Sequence, residues 1–393
     1  MTRLNQELLK VIGDRISAAP DRRLTFTDYM DLVLYHPEHG YYSSGKVEIG
    51  AKGDFFTSVS LGADFGELLA KQLVEMWQKM GFPTPFTLVE MGAGEGKLAA
   101  DILNYLQQKY TDFFGSLEYL IIEKSSKLIE RQQKELNKFR DKLQINWRNW
   151  QQIPENSLVG CFFSNELVDA FPVHRIAIES GKMQEVYLSN RGNKLIEIIG
   201  DLSTSKIHKY FQLVGIDLTS GAYPDGYRTE VNLAALDWLE NISRRLLKGY
   251  LITIDYGYDS RRYYHPQRRE GTLQCYYQHR YHDNPYVNIG YQDLTAHVDF
   301  TALELKGELS GLEKVGFTQQ GLLLMALGLG NRLNELSGGK FNLQEIVQRR
   351  DALHQLIDPL GLGRFGVLIQ SKGLTVQETK NLQGLQESNF FLL

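Results

Sequence analysis

The residues of this chain best suited to do chemistry are Glu90, Gly92, Gly94 and Gly96, in the stretch FTLVEMGAGEGKL from Phe86 to Leu98. An apolar, β-favouring run (Phe86, Leu88, Val89) reaches the acid at Glu90, breaks into glycines, and passes into helix-forming Lys97 to Leu106. Strand, tight glycine turn and helix bring backbone N–H groups against a ligand, because glycine tolerates φ > 0 and carries no Cβ to hold the ligand off. Spacing then separates the nucleotide-type ligands. A phosphate-binding loop needs GxxxxGK followed by a hydroxyl, but Met91 stands at its first glycine and Leu98 at its hydroxyl. A dinucleotide fingerprint, GxGxxG, puts its third glycine at Lys97, whereas here the third glycine comes one residue early, at Gly96. An ordinary βα turn without a ligand is the competing reading.

An acid two residues before GxGxG resembles the first motif of class I S-adenosylmethionine (SAM) methyltransferases. A second acid, Glu123, ends the apolar run Leu117 to Ile122 about one βα unit later. An acid at the end of the second strand is placed to accept from both ribose hydroxyls of an adenosine, a feature that NAD and SAM sites share. It supports adenosine binding without choosing the cofactor.

These residues need a sheet to position them, and the chain supplies one. After a helix over residues 4 to 18 and a second one capped by Thr25 or Thr27 and ending near Tyr35, a Gly/Tyr/Ser-rich loop leads to a helix from Phe65 to Met80. That loop is read as a lid over the cofactor, since long ordered loops are usually functional. Strands are then expected at Phe86 to Met91, Leu117 to Glu123, Leu143 to Trp147 and Leu158 to Ser164, alternating with helices, which is a doubly wound parallel sheet. Val173 to Glu179 and Met183 to Ser189 flank Ser180-Gly181-Lys182, a hairpin signal, and roughly 75 residues separate the fourth strand from the fifth, Tyr250 to Ile254, far more than a connection needs. A polar, aromatic loop from Ser260 to Gly290, a helix from Phe300, a sixth strand opened by Gly316-Phe317 and a last strand, Arg364 to Gln370, complete the chain. The expected division is a helical lid segment over 1–80, a catalytic domain over 81–372 with an insertion at 173–248, and a tail over 373–393.

Composition sets bounds. At 393 residues and a formal net charge of −4, with short scattered basic clusters, the chain carries no footprint for nucleic acid or an acidic membrane surface. Two cysteines, Cys161 and Cys275, cannot make a disulfide scaffold or a zinc cluster, and imply a reducing compartment. No run approaches the roughly 18 apolar residues of a membrane span, and the N-terminus does not read as a leader, so no membrane insertion and a cytoplasmic protein are expected.

The motifs together resemble the MidA family, whose mitochondrial member is the arginine methyltransferase that assists assembly of respiratory complex I. The segments are HPEHGYY, GDFFTS with FGELLA, LVEMGAGEGKLAADIL, SNELVDAFPVHR, IDYGY, GTLQCYYQHRYHDNP with DLTAHVDFTAL, and LGRFGVLIQ, spanning His36 to Gln370. Ala93 and Glu95 depart from a glycine loop that often carries Pro and Arg, and Val59-Ser60 replaces a frequent Pro-Glu. The resemblance implies a Rossmann-like class I methyltransferase fold with a seven-stranded, mostly parallel sheet. It implies SAM as cofactor, a protein substrate, and an arginine in the 49-kDa-type subunit of a complex I-like dehydrogenase as methyl acceptor.

A guanidinium stays protonated, so its site must orient it with carboxylates and exclude water, and positioning supplies much of the rate. Glu166 and Asp169, just after the fourth strand, are the expected pair, sharing a face if the turn is helical. Their alternative is structural: Asn165 as a helix N-cap with two first-turn acids against the dipole. Asn165 is a candidate SAM contact, and the family's fold implies further SAM contacts for Asp54, Thr57 and Ser58, against an Asx or hydroxyl turn that caps the next helix. His282 is the candidate for closing over the acceptor or taking up its proton, and Tyr276, Tyr277 and Tyr281 could wall a cation. His279, His282 and Asp283 lack the spacing of a metal site, and no metal is expected. Two alternatives stand beside the arginine reading: methylation of a small molecule, and a SAM-binding assembly factor without turnover.

Overall fold

The computed structural model describes residues 5–45, 57–192, 194–278, 280–336, 338 and 342–386. The chain divides into two compact units. One takes Phe56–Leu167, Asn241–Tyr256 and Gly307–Leu393, and the other Met1–Phe55, Val168–Glu240 and Gly257–Lys306. This partition differs from the expected one, because the helix Asp64–Lys79 belongs to the first of these units while the helices Gln6–Ala18 and Phe26–Tyr35 belong to the second.

The first unit is built on a seven-stranded sheet. Numbered by sequence within the sheet, its strands are Phe86–Met91, Leu117–Ile122, Gln144–Trp147, Leu158–Asn165, Leu246–Asp255, Glu313–Gln319 and Gly366–Lys372, and they lie side by side in the order 3-2-1-4-5-7-6. The first five run parallel, and the seventh is antiparallel to both of its neighbours. Parallel strands covered on both faces read as continuous apolar runs. Phe86–Met91 is accordingly buried at all six positions. The helix Asp64–Lys79 turns Phe65, Leu68, Leu69, Leu73, Met76 and Trp77 into the core, at the 3.6-residue spacing the sequence shows. It lies so close to the helix Lys97–Lys109 that a Cβ on Gly66 would stand 2.8 Å from Cβ of Asp101.

The second unit has a mostly antiparallel sheet. Its hairpin joins His174–Glu179 to Lys182–Arg191 through Ser180 and Gly181, both at positive φ, in the register Ile178↔Met183. Arg228–Val231 pairs with the first of these strands, and Lys194–Gly200 and Leu24–Thr25 pair with the second. Within the region expected as an aromatic loop, Gln274–Tyr277 and Arg280–His282 are instead strands of a small sheet completed by Asp293–Thr295. Among the described residues no helix is long and apolar enough to cross a membrane.

Candidate functional site

The glycine turn sits at the carboxyl end of Phe86–Met91, the first strand of the seven-stranded sheet, where a doubly wound fold leaves room for ligands. Its backbone reverses at once: Gly92 N–H donates to the Ile122 carbonyl at 3.1 Å and Gly96 N–H to the Ala93 carbonyl at 2.8 Å. Gly94 has φ +53°, and a Cβ there would meet nothing within 4 Å, so the turn opens onto space. Gly96 has φ +84° and starts the 13-residue helix Lys97–Lys109 without a side-chain cap, which leaves first-turn amides to meet a ligand. The neighbouring Glu95 is paired with Lys97 and Arg131.

Glu123 follows the strand Leu117–Ile122. Its Oε1 accepts from Lys124 N–H at 2.8 Å and Ser125 N–H at 2.9 Å, and its Oε2 from Nε2 of Gln132 at 3.1 Å. Burial raises its pKa, and these three donors oppose the rise. Glu90 is buried more deeply. Its Oε2 accepts from the Tyr119 hydroxyl at 2.7 Å, and burial pushes its pKa up to about 7, with the Tyr119 bond pulling the other way.

On the next strand, Leu158–Asn165, the chain leaves the sheet through Glu166 at φ +52°. Glu166 N–H donates to the Ile254 carbonyl at 2.9 Å, and its Oε1 accepts from Ser58 N–H at 3.2 Å and from Nδ2 of Asn165 at 3.0 Å. Oδ1 of Asn165 is buried with no hydrogen-bond partner. Neither the shared helical face for Glu166 and Asp169 nor the structural alternative, Asn165 as the N-cap of a helix, is found here. Left-handed φ at Glu166 cannot continue a right-handed helix, Asn165 is the last residue of its strand, and only the short 3-10 turn Val168–Ala170 follows.

Thr57 closes a reciprocal cap with Ser60 on the 3-10 turn Ser58–Leu61, and the Ser58 hydroxyl donates to Oε1 of Gln320 at 3.0 Å. The structure therefore brings Ser58, Glu90, Gly92, Gly94, Gly96, Glu123, Asn165 and Glu166 into one unit. Asp169 and His282 belong to the other unit. There the Asp169 carbonyl accepts from Ala296 N–H at 2.9 Å, and Nδ1 of His282 accepts from Asn284 N–H at 3.2 Å. Asp54 and His279, with residues 46–56 of the expected lid, lie outside the described residues.

Three residues escaped sequence reasoning. Asp255 is fully buried at the end of the fifth strand, and its carboxylate accepts from Leu167 N–H at 3.2 Å and Tyr256 N–H at 2.9 Å. An acid closing an apolar strand, in IDYGY, was its signal. Gln132 and Trp147 tie the Glu123 side of the site to the glycine turn, and neither stands out from its neighbours in the sequence.

A SAM molecule fits these residues. The open space above Gly94, the uncapped helix start, the carboxylate of Glu123 and the orphaned buried Oδ1 of Asn165 offer, in one unit, the acceptors and donors that a zwitterionic nucleoside needs. A parallel sheet with one reversed strand, the seventh, set between the fifth and the sixth, and with this turn at the end of its first strand, defines a class I methyltransferase fold. The family model for a SAM-dependent methyltransferase matches residues 68–318, and the chain belongs to that family.

Two relatives and one solved structure agree with the assignment. The chain is 32% identical over 376 residues to the Drosophila melanogaster homolog of the mitochondrial protein arginine methyltransferase NDUFAF7, covering 88% of this chain and 81% of that protein. To the human NDUFAF7 it is 27% identical over 339 residues, covering 80% and 72%. A COG1565 superfamily protein from Burkholderia thailandensis, solved bound to S-adenosyl-homocysteine, superposes with a TM-score of 0.83 at 29% identity, covering 98% of this chain and 97% of that one. The chain is a SAM-dependent methyltransferase of Rossmann-like fold, and SAM is its cofactor.

Proposed function

We propose that this enzyme methylates an arginine side chain of a protein, and that the protein is the 49-kDa-type subunit of a complex I-like dehydrogenase. The arginine is supported by the relatives that are themselves named protein arginine methyltransferases, and the subunit by the MidA-type motifs that run through the chain. SAM supplies a methyl group on a sulfonium, which passes to nitrogen as the carbon–sulfur bond breaks and a proton leaves the guanidinium.

One observation carries the reading above the rest: Glu166 presents a carboxylate at the carboxyl edge of the sheet, held by the Ser58 N–H and the Asn165 amide. A protonated guanidinium needs no strong base, but it does need a fixed anion to aim one nitrogen. Glu123 and the glycine turn hold the nucleoside in this scheme, Asn165 takes its amine or sugar, and Glu166 orients the acceptor.

The test is incubation of the purified full chain with methyl-labelled SAM and an extract containing the dehydrogenase. Label in a band of the 49-kDa-type subunit, mapped to methylarginine by mass spectrometry, is the expected result. Label confined to small molecules refutes the protein substrate, and no label at all refutes turnover.

A further inference from the structure

Gln132 lies in the helix Ser126–Glu135 and is fully buried, unlike most of its polar helix neighbours. Its Nε2 donates to the Gly94 carbonyl at 2.8 Å and to Oε2 of Glu123 at 3.1 Å, and its Oε1 accepts from Nε1 of Trp147 at 2.8 Å. These partners come from the glycine turn, the end of the second strand and the third strand. An indole N–H can only donate, and a carbonyl and a carboxylate can only accept. All three contacts therefore agree on one orientation of the amide, which cannot turn over without losing every one of them. The backbone is close as well, since a Cβ on Gly96 would stand 3.2 Å from Cα of Gln132.

On Glu123, two backbone amides already fill Oε1, and the Gln132 amide takes one of the two lone-pair positions on Oε2. The carboxylate is thereby fixed in rotation about its own axis before any ligand arrives. An acceptor aimed in advance spares a ligand the entropy of ordering it. The Gly94 peptide, on which the same amide pulls, is the part of the turn that faces open space.

We propose that Gln132 is a positioning residue for the nucleoside: one buried amide locks the separation of Glu123 and the Gly94 peptide, so that the sugar hydroxyls meet a carboxylate already aimed. Trp147 sets the sense of that amide. This rests on the placement of SAM along the glycine turn. It predicts a coupling between Gln132 and the sugar hydroxyls, which a residue that only fills space would not show.

The experiment is calorimetric titration of the full chain with S-adenosylhomocysteine and with its 2′,3′-dideoxy counterpart. In the unaltered protein the hydroxylated ligand binds at least about tenfold more tightly, the scale of one hydrogen bond to a charged group. Gln132→Met, of similar length but without N–H groups, loses most of that preference, whereas a packing role would weaken both ligands by one factor and leave the ratio intact. Trp147→Phe, which frees the amide to turn, lowers the ratio in the same direction and carries the test should Gln132→Met fail to fold. An unchanged ratio in the folded variant overturns the proposal, as does a ratio of one in the unaltered chain. Gly94→Val separates the two levels. If it abolishes binding while Gln132→Met keeps the ratio, only the role of Gln132 falls; if it binds both ligands normally, the placement fails and takes the proposal with it.

Discussion

The backbone N–H of Ser58 donates to Oε1 of Glu166 across 3.2 Å, although 108 residues separate the two in the chain. The contact fixes a carboxylate that would otherwise swing on a residue at φ +52°, and the Asn165 amide braces the same oxygen. Glu166→Gln keeps an oxygen for both donors and removes only the charge. We expect SAM to bind the variant with unaltered affinity by calorimetry and methyl transfer to fall by about a hundredfold or more, the scale of losing a charged orienting group. Undiminished turnover would place the acceptor elsewhere.

A second prediction concerns the centre of the sheet. Thr87, Gly160 and Gly249 face one another on three adjacent strands. A Cβ on Gly160 would stand 2.1 Å from the Thr87 carbonyl oxygen, and one on Gly249 would stand 1.8 Å from the Gly160 carbonyl oxygen. Neither neighbour is a flexible side chain, so the backbone itself must move. Gly160→Ala should destabilise the chain by about 3 kcal/mol, at the upper end of ordinary overpacking. A urea midpoint equal to that of the unaltered protein would contradict this.

Much of the sheet was readable in the sequence because its order is local. Apolar runs bounded by glycine turns mark strands wherever both faces are buried, and Phe86–Met91 and Leu117–Ile122 fall where their runs predict. The geometry at Glu166 was not readable. Its left-handed backbone donates to the Ile254 carbonyl and its carboxylate accepts from the Ser58 N–H, neither of them near it in the chain, so a helical turn was the reasonable local expectation. Gln132 was hidden for a related reason, being one polar residue on a strongly polar helix, SKLIERQQKE, singled out only by what packs against it. The sheet through Gln274–Tyr277 reads as a loop because its strands are short and polar and its pairing reaches as far along the chain as Gln274↔Thr295.

Glu90 sets a pH dependence of defined sign. Burial raises its pKa from 4.5 to about 7, with the Tyr119 hydrogen bond offsetting part of the rise and Glu123 adding to it. Between those values the folded chain holds a proton that the unfolded chain has released, so stability falls as pH rises through that window. Glu90→Gln keeps an acceptor for the Tyr119 hydroxyl and has no charge to desolvate. It should be more stable than the unaltered chain by about 3 kcal/mol at pH 8 and no different near pH 4. Equal stability at both pH values would show that Glu90 ionises in the fold as it does in water.

Glu197 acts in the other unit and with the opposite sign. It accepts from Arg175 Nη1 at 2.6 Å, from the Tyr286 hydroxyl at 2.6 Å and from Arg228. Burial alone would raise its pKa, but Arg175, the Tyr286 bond and Arg228 together hold it below 4.5. A depressed carboxylate contributes stability that is present above its unfolded pKa and is lost as pH falls through the folded one. Arg175 is itself 8% exposed and lies with its guanidinium carbon 5.2 Å from the Phe26 ring centroid, with Glu230 as the other carboxylate that acts on it, so removing Glu197 leaves a poorly hydrated charge with weaker compensation. Glu197→Ala should therefore cost about 3 kcal/mol at pH 7, the lower end of the loss on breaking a buried pair from one side, because Glu197 itself is half-buried. Arg175→Met together with Glu197→Leu removes both charges, and should recover most of that loss, because an apolar pair of similar size has no desolvation to offset. Chemical denaturation of the two variants at pH 7 decides the matter: equal losses in the single and double replacements would mean that packing around the pair, and not the stranded cation, sets the cost.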